Sequence, residues 1–208
     1  MRGLALIFVV LTGCVILRHP VRAPDGDDAA IMLVSTAMPQ PIQYVGRHAW
    51  LAVRKKGSTE WDRVEYGGFG SGPVDGLADV RVHAIWRGAE AERAIPCLYE
   101  HTERAQPEPY VMVPGPNSNT FVDRLLRWCG LHASLPVTAV GKDFRGLAGV
   151  SWTTGGTGFQ IETPLVGLRL GLKEGIEVHL LTLGFGIDLW PPAIILPLGP
   201  GRLGFDDR

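Results

Sequence analysis

Pro114-Gly115-Pro116-Asn117-Ser118-Asn119-Thr120-Phe121-Val122 is the stretch whose residue types could do chemistry. Its prolines and glycine force a turn, because Pro fixes φ and Gly accepts positive φ. A helix pattern follows, with Phe121, Leu125 and Trp128 on one face and Val122 and Cys129 beside it. Gly130 stands where a terminating glycine belongs, and Asp123 is expected in the first turn, opposite the positive helix end. Ser118 then lies at or just before the helix N-terminus. Unpaired N–H groups and the helix dipole there favour an anionic nucleophile and a developing oxyanion. A hydroxyl is far less acidic than a thiol, so Ser118 needs a general base within hydrogen-bonding reach. His48, at the head of an upstream strand, is the candidate base, and Glu65 on the next strand the candidate orienter. The amides of Ser118 and Asn119 are the candidate oxyanion donors. A plainer reading competes with this one. Asn, Ser and Thr are favoured helix caps, so Asn117 to Thr120 would only cap, His48 would be an ordinary strand histidine and Glu65 a solvated hairpin residue.

Positioning these groups requires a sheet and a packed helix. Ala30 to Ala37, His48 to Arg54 and Asp62 to Tyr66 read as strands, the last two joined by the polar connection Lys55 to Glu60. Asp79 to Trp86 alternates as a strand, with Val80, Val82, Ala84 and Trp86 on one side. Ala89 to Ala105 has helical composition interrupted by Pro96, which fits two short helices or one kinked helix. Downstream, Phe159 to Thr163, Val166 to Leu172, Ile176 to Leu183 and Ala193 to Leu196 read as strands. In the third of these, Ile176, Val178, Leu180 and Thr182 alternate against Glu177, His179 and Leu181, which predicts a half-solvated strand with His179 on its exposed side. The many glycines and prolines, 27 and 16, favour short strands and tight turns.

The chain of 208 residues opens with Arg2 and an apolar run to Leu17. As a helix the run would be about 22 Å long, short of the roughly 30 Å hydrocarbon core. Leu11-Thr12-Gly13-Cys14 resembles a bacterial lipobox, although Val15-Ile16-Leu17 continues the apolar run where a lipoprotein turns polar. An uncleaved anchor and a lipoprotein both remain open. Either reading makes residues 1–17 a signal or anchor segment, 18–28 a linker, and 29–208 one α+β domain outside the cytoplasm, in the periplasm or cell envelope. Cys97 and Cys129 are open to pairing in such a compartment; the reading taken is two buried free thiols.

A formal net charge of −1 argues against a nucleic-acid partner. Neither a cofactor nor a metal site is expected. Gly67 to Gly72 and Gly155 to Gly158 lack the lysine and hydroxyl of a phosphate loop and read as turns. His101 with Glu100 and Glu103 matches no ligand spacing and reads as a solvated helix face.

Two resemblances add to this. The stretch Pro114 to Phe121, Gly141-Lys142-Asp143-Phe144, Gly156 to Gln160 and the region Glu174 to Leu183 resemble a bacterial family of unknown function, number 3750 in the series of such domains. His48-Ala49-Trp50 and Pro191-Pro192-Ala193 extend the likeness. It implies an N-terminally anchored envelope protein and no established activity. More distantly, Asn117-Ser118-Asn119-Thr120-Phe121 resembles the Asn-Cys-Asn-Thr-Phe helix start of PPPDE-type peptidases, which are circularly permuted papain-like proteins related to NlpC-type hydrolases. In that group a histidine on an early strand precedes the nucleophile, so the likeness implies His48 as base and Ser118 as nucleophile, with Ser in place of Cys. The fold expected is α+β, a twisted antiparallel sheet or open barrel packed on the Ser118 helix.

Three functions compete. The first is an envelope-anchored hydrolase or acyltransferase relative acting on amide or ester bonds of peptide, cell-wall or lipid material. The second is an inactive binding module using the same cleft for peptide, glycan or a protein partner. The third is a structural anchor whose apolar strands Val166 to Leu196 mediate assembly, which requires a large exposed apolar patch there.

Overall fold

The structure is a computed structural model that describes residues 24–42, 46–66, 68–71, 80–106, 109–198 and 201–205. The apolar leader, Cys14 and most of the linker lie outside these residues. Among the described residues, no helix is long and apolar enough to cross a membrane.

Five strands form the first sheet: β1 (Ala30–Ala37), β2 (Arg47–Arg54), β3 (Asp62–Glu65), β4 (Gly68–Ser71) and β5 (Arg81–Arg87). They lie in the order β4-β3-β2-β1-β5, every neighbouring pair antiparallel. The run Ala30 to Val34 is apolar without alternation because both faces of β1 are covered. One face carries Ile31, Leu33, Leu51 and Val53, and the other Met32, Val34, Trp50 and Ala52. Two expectations are corrected here. Gly68 to Ser71, read as a turn, pairs with β3 as an edge strand. Val82 and Trp86 do not share a face: the register slips between Leu33 and Val34, so the extra residue His83 bulges and reverses the alternation.

Two helices, α1 (Ala89–Ala105) and α2 (Ser118–Trp128), pack on the Leu33 face. Pro96 lies inside α1, which runs through it as a single helix. Ala94, Ile95 and Leu98 of α1 meet Phe121, Val122, Leu125 and Leu126 of α2 in the main core. Trp128 stands off this face, 49% exposed, with its ring against His101. Asp123 is not in the first turn, because α2 begins at Ser118. It is buried and paired with Arg127 and Arg145, each at 2.8 Å.

Cys97 and Cys129 are not free thiols; they form a disulfide between the two helices, with Cα atoms 5.7 Å apart. The sequence separation of 32 residues left their distance undetermined. Reducing this loop-closing link is expected to lower stability by about 3–4 kcal/mol, from the entropy returned to the unfolded chain. Thermal unfolding with and without reductant checks this.

The second sheet is a seven-strand antiparallel meander: β6 (Gly149–Trp152), β7 (Gly158–Glu162), β8 (Val166–Gly171), β9 (Gly175–Leu180), β10 (Leu183–Leu189), β11 (Pro192–Ile195) and β12 (Arg202–Gly204). The α+β class holds, with two sheets where one was expected. Ile176 to Leu183 is not one strand: the chain turns at Leu181 and Thr182, whose φ values of 50° and 71° are both positive. Such a two-residue turn normally announces itself with Asn-Gly, which is absent here.

The sense of β9 is also inverted. Glu177 and His179 are buried, whereas Ile176, Val178 and Leu180 are 55%, 40% and 50% exposed. The same holds across the sheet. Trp152, Phe159, Leu170, Ile176, Ile187, Ile194 and Leu203 are successive register partners along one outward row.

Candidate functional site

The site starts from the cap of α2. Asn117, not Ser118, is the N-cap: its side-chain oxygen accepts the amides of Asn119 and Thr120 at 2.9 and 3.2 Å. The Thr120 hydroxyl accepts the Asn117 amide at 3.0 Å, closing a reciprocal box. Asn117 also donates to the carbonyls of Met112 and Val140, at 2.8 and 2.9 Å, tying down the chain before the helix. The competing reading of Asn117 and Thr120 as caps is therefore correct for those two residues. Because they satisfy the helix end, the Ser118 hydroxyl is left for another partner.

Asn119 sets where that partner is. Its side-chain oxygen accepts the Ala49 amide at 2.9 Å, and its nitrogen donates to the Arg47 carbonyl, also at 2.9 Å. These backbone groups lie on the stretch of β2 that extends past the end of its pairing with β3. Asn119 thus does the work of a missing strand and fixes the head of α2 against the head of β2. The residue between those contacts on β2 is His48.

His48 Nδ1 lies 3.1 Å from Ser118 Oγ, and His48 Nε2 lies 3.2 Å from Glu65 Oε2. With Glu65 ionised, Nε2 carries the ring proton, which leaves Nδ1 to accept from the Ser118 hydroxyl. Glu65 is held below the usual carboxylate range, first by its hydrogen bond to His48 and further by Arg63, against the opposing effect of burial. Arg63 donates to the same oxygen at 3.0 Å and lies over the Trp50 ring, which also stacks on His48. The His48 and Glu65 side chains are 25% and 22% exposed, so the group is half-buried but open to solvent. Tyr110, Val111, Met112 and Val113, exposed just before the cap, form an apolar lip in the chain leading to Ser118.

The structure therefore brings together all three residues singled out from the sequence: Ser118, His48 and Glu65. One expected detail changes. The Asn119 amide is taken by Asn117, so of the two oxyanion donors expected, the Ser118 amide remains. Arg63 was missed, although its signal was present: it stands two residues from Glu65 on β3, hence on the same face.

The family model for proteins of unknown function DUF3750 matches residues 28–144, more than half of the chain. The chain belongs to the DUF3750 family. No curated protein and no solved structure matches it. The matched DUF3750 span contains β1 to β5, both helices, the three site residues and their caps, and ends before the second sheet. The likeness noted at Gly156 to Gln160, Glu174 to Leu183 and Pro191 to Ala193 lies beyond it.

A second polar cluster of this DUF3750 chain lies on the buried face of the second sheet, where Lys142 and Asp143, at the end of the matched span, meet residues beyond it. Asp143, Glu177 and His179 present ligand atoms within 4.8 Å of one another, the spacing of a metal site. Two cations already fill the gap. Arg169 pairs with Asp143 and, at 2.8 Å, with Glu177; Lys142 pairs with Asp143 and lies 3.7 Å from Glu177. A metal ion there would meet an ammonium and a guanidinium, so the chemistry of the set is that of a buried ion-pair network. Gly167 makes room for it, since a Cβ there would collide with the Glu162 carboxylate.

His179, expected to be exposed, is 2% exposed, with Nδ1 at 2.7 Å from Glu162 and Nε2 at 2.9 Å from Glu177. Burial pushes its pKa down, but the charge of Asp143 and the hydrogen bonds of Glu162 and Glu177 outweigh it and lift the value to about 9. A raised pKa of this kind contributes stability that is complete below the unfolded value near 6.5 and is lost as pH rises through about 9. The expected loss between pH 6 and pH 9.5 is about 3 kcal/mol at most. Denaturant unfolding at the two pH values checks it, and His179→Gln is expected to flatten the difference.

Proposed function

We propose that this DUF3750 protein is a serine hydrolase or acyltransferase that acts on amide or ester bonds through Ser118, His48 and Glu65, on a permuted papain-like arrangement. The observation that carries the reading is the double engagement of the His48 ring. One nitrogen is at 3.1 Å from a hydroxyl not used as a helix cap, and the other at 3.2 Å from a carboxylate. This is the relation of nucleophile, base and orienter that acyl transfer needs. The permuted papain-like part is supported by chain order alone: the His48 strand precedes the helix that carries Ser118, and that helix packs on the same sheet.

In the proposed reaction Ser118 Oγ attacks the substrate carbonyl while its proton passes to His48 Nδ1. Glu65 holds the resulting imidazolium, and the Ser118 amide faces the oxyanion. Collapse expels the amine or alcohol, which takes the proton back from Nδ1. Water or an acceptor nucleophile, deprotonated by the same nitrogen, then releases the acyl group, and that proton returns from Nδ1 to the leaving Ser118 Oγ. The apolar leader places this reaction at the membrane, on the outer side, with peptide, cell-wall or lipid substrates.

A fluorophosphonate probe tests the proposal, because it phosphonylates only an activated serine. A single adduct on Ser118, abolished by His48→Ala, supports it; an unlabelled Ser118 in folded protein overturns it.

A second reading, a binding module, is favoured by a different observation. A cavity of about 920 Å³ lies between β5 and the polar face of the second sheet, lined by Arg81, His83, Arg169, Glu174 and Asp188 among others. None of the three site residues lines it. On that reading Ser118→Ala leaves ligand binding intact, whereas changes at Arg81 or Asp188 remove it.

A further inference from the structure

We propose that the outer face of the β6–β12 sheet rests on a lipid bilayer, as a second membrane contact of the chain that depends on neither Ser118 nor its activity. The first observation is the completeness of its apolar character. Besides the seven-residue row from Trp152 to Leu203, the next register row, Val150, Ile161, Leu168, Val178 and Phe185, is apolar at every position. Glu162, Arg169, Glu177, His179 and Asp188 are all buried on the opposite face, and Arg202 is paired there with Asp188. Seven strands make a face about 29 Å wide and about 20 Å long, or roughly 600 Å², at the upper limit of patches found on monomeric proteins. The exposed patch required of a structural anchor is therefore present, and its chemistry narrows what covers it.

Three occupants compete: lipid, a second copy of the chain, and the chain's own leader. Protein interfaces surround an apolar centre with a polar rim and make about one hydrogen bond per 100–200 Å². Here the rim is largely apolar as well, with Thr163 and Lys173 as its exposed polar members. Leu165, Leu172, Leu181, Trp190, Leu198 and Phe205, in the turns and at the sheet edge, are 67%, 78%, 60%, 72%, 50% and 56% exposed. Apart from the Trp152 indole N–H, the two rows offer no side-chain donor or acceptor to a partner. The leader is too small: a helix about 22 Å long and about 10 Å wide covers roughly a third of the face. Hydrocarbon asks for neither a polar rim nor hydrogen bonds, and exposed Trp152 and Trp190 suit the membrane interface. The strands, three to seven residues long, fall short of the roughly 9–11 needed to span a bilayer, so the sheet lies on the membrane rather than crossing it. The apolar leader, read from the sequence, brings the chain to the same surface.

The test reconstitutes the full-length chain in phosphatidylcholine vesicles whose acyl chains carry bromine, a contact quencher of tryptophan. Quenching is expected, with most of it lost in Trp152→Phe/Trp190→Phe and a severalfold reduction in Ile176→Lys/Ile187→Lys, whose new charges lie on the outer face. Far-UV circular dichroism and an intact Cys97–Cys129 bond establish that each variant is folded. Quenching unchanged by the tryptophan replacements overturns the proposal. So does absence of quenching, whether with a cross-linked dimer, which assigns the face to a second copy, or with a monomer, which assigns it to the leader.

Discussion

Ser118→Ala is expected to lower kcat/KM on any ester or amide substrate by about 10⁴-fold or more, the scale on which loss of a catalytic serine is felt. The same change is expected to leave stability within about 0.5 kcal/mol, because Asn117 and Thr120, not Ser118, satisfy the helix end. That separation gives the variant its value: activity falls and the fold does not. His48→Ala should cost as much, and the double variant no more than either single one, since nucleophile and base act as a unit. Glu65→Gln should cost less, about 10²–10⁴-fold, because Glu65 only orients and stabilises the ring and is partly solvated. Steady-state hydrolysis of a chromogenic acyl ester, with the unfolding curve of each variant, checks the series. Full activity in folded Ser118→Ala protein would sink the mechanism outright.

Arg169→Met is expected to destabilise the protein by about 3–5 kcal/mol, the cost of breaking a buried ion pair from one side. Burial pushes Asp143 towards protonation, but the charge of Arg169, then of Lys142 and His179, holds it far below the usual carboxylate range. Glu177 is held low in the same way, against its own burial. Removing the guanidinium strands two carboxylates away from water with less than their present complement of positive charge. The melting temperature should fall by about 6–20 °C for a chain of this size. Arg169→Lys should recover only part of the loss, since an ammonium offers one nitrogen where the guanidinium reaches Glu177 and Asp143 from two separate, fixed nitrogens. Arg169→Met with Asp143→Asn should lose less than Arg169→Met alone, because one buried carboxylate goes with the guanidinium and Lys142 keeps Glu177 as its counter-charge. Differential scanning calorimetry of the three variants reads this directly; a double variant as unstable as the single one would show that packing, not charge, dominates.

Local rules made part of the site legible. The run Ala30 to Ala37 matches β1 residue for residue, because a stretch apolar on both faces has one strand-like reading. The caps around Ser118 were visible because helix ends need acceptors within three residues. Candidate base and orienter followed from strand order and alternation. Asn119, which joins α2 to the open edge of β2, was legible only as a possible cap. Its decisive bonds reach Arg47 and Ala49, some 70 residues away, and no local rule anticipates them.

Asp123 was misplaced by a local error in the helix start, but the other failures had non-local causes. The bulge at His83 comes from a register slip against β1, which alternation within β5 does not contain. The turn at Leu181 and Thr182 is imposed by the pairing of β9 with β10 and lacks turn-forming residues. The bond between Cys97 and Cys129 depends on two helices meeting, and spacing in the chain does not measure that approach. His179 was assigned to solvent because its strand alternates correctly and polar residues ordinarily face water.

By itself, then, the sequence determined that a capped helix begins at or just after Ser118, and it determined the strands that carry His48 and Glu65. These follow from capping and side-chain direction within a few residues. Tertiary structure alone decided that His48 meets both Ser118 and Glu65, and which side of the second sheet is inside. A period of two states that faces differ and never which one is buried; Arg169 and Lys142, brought in from another strand and a loop, made the charged face the inner one.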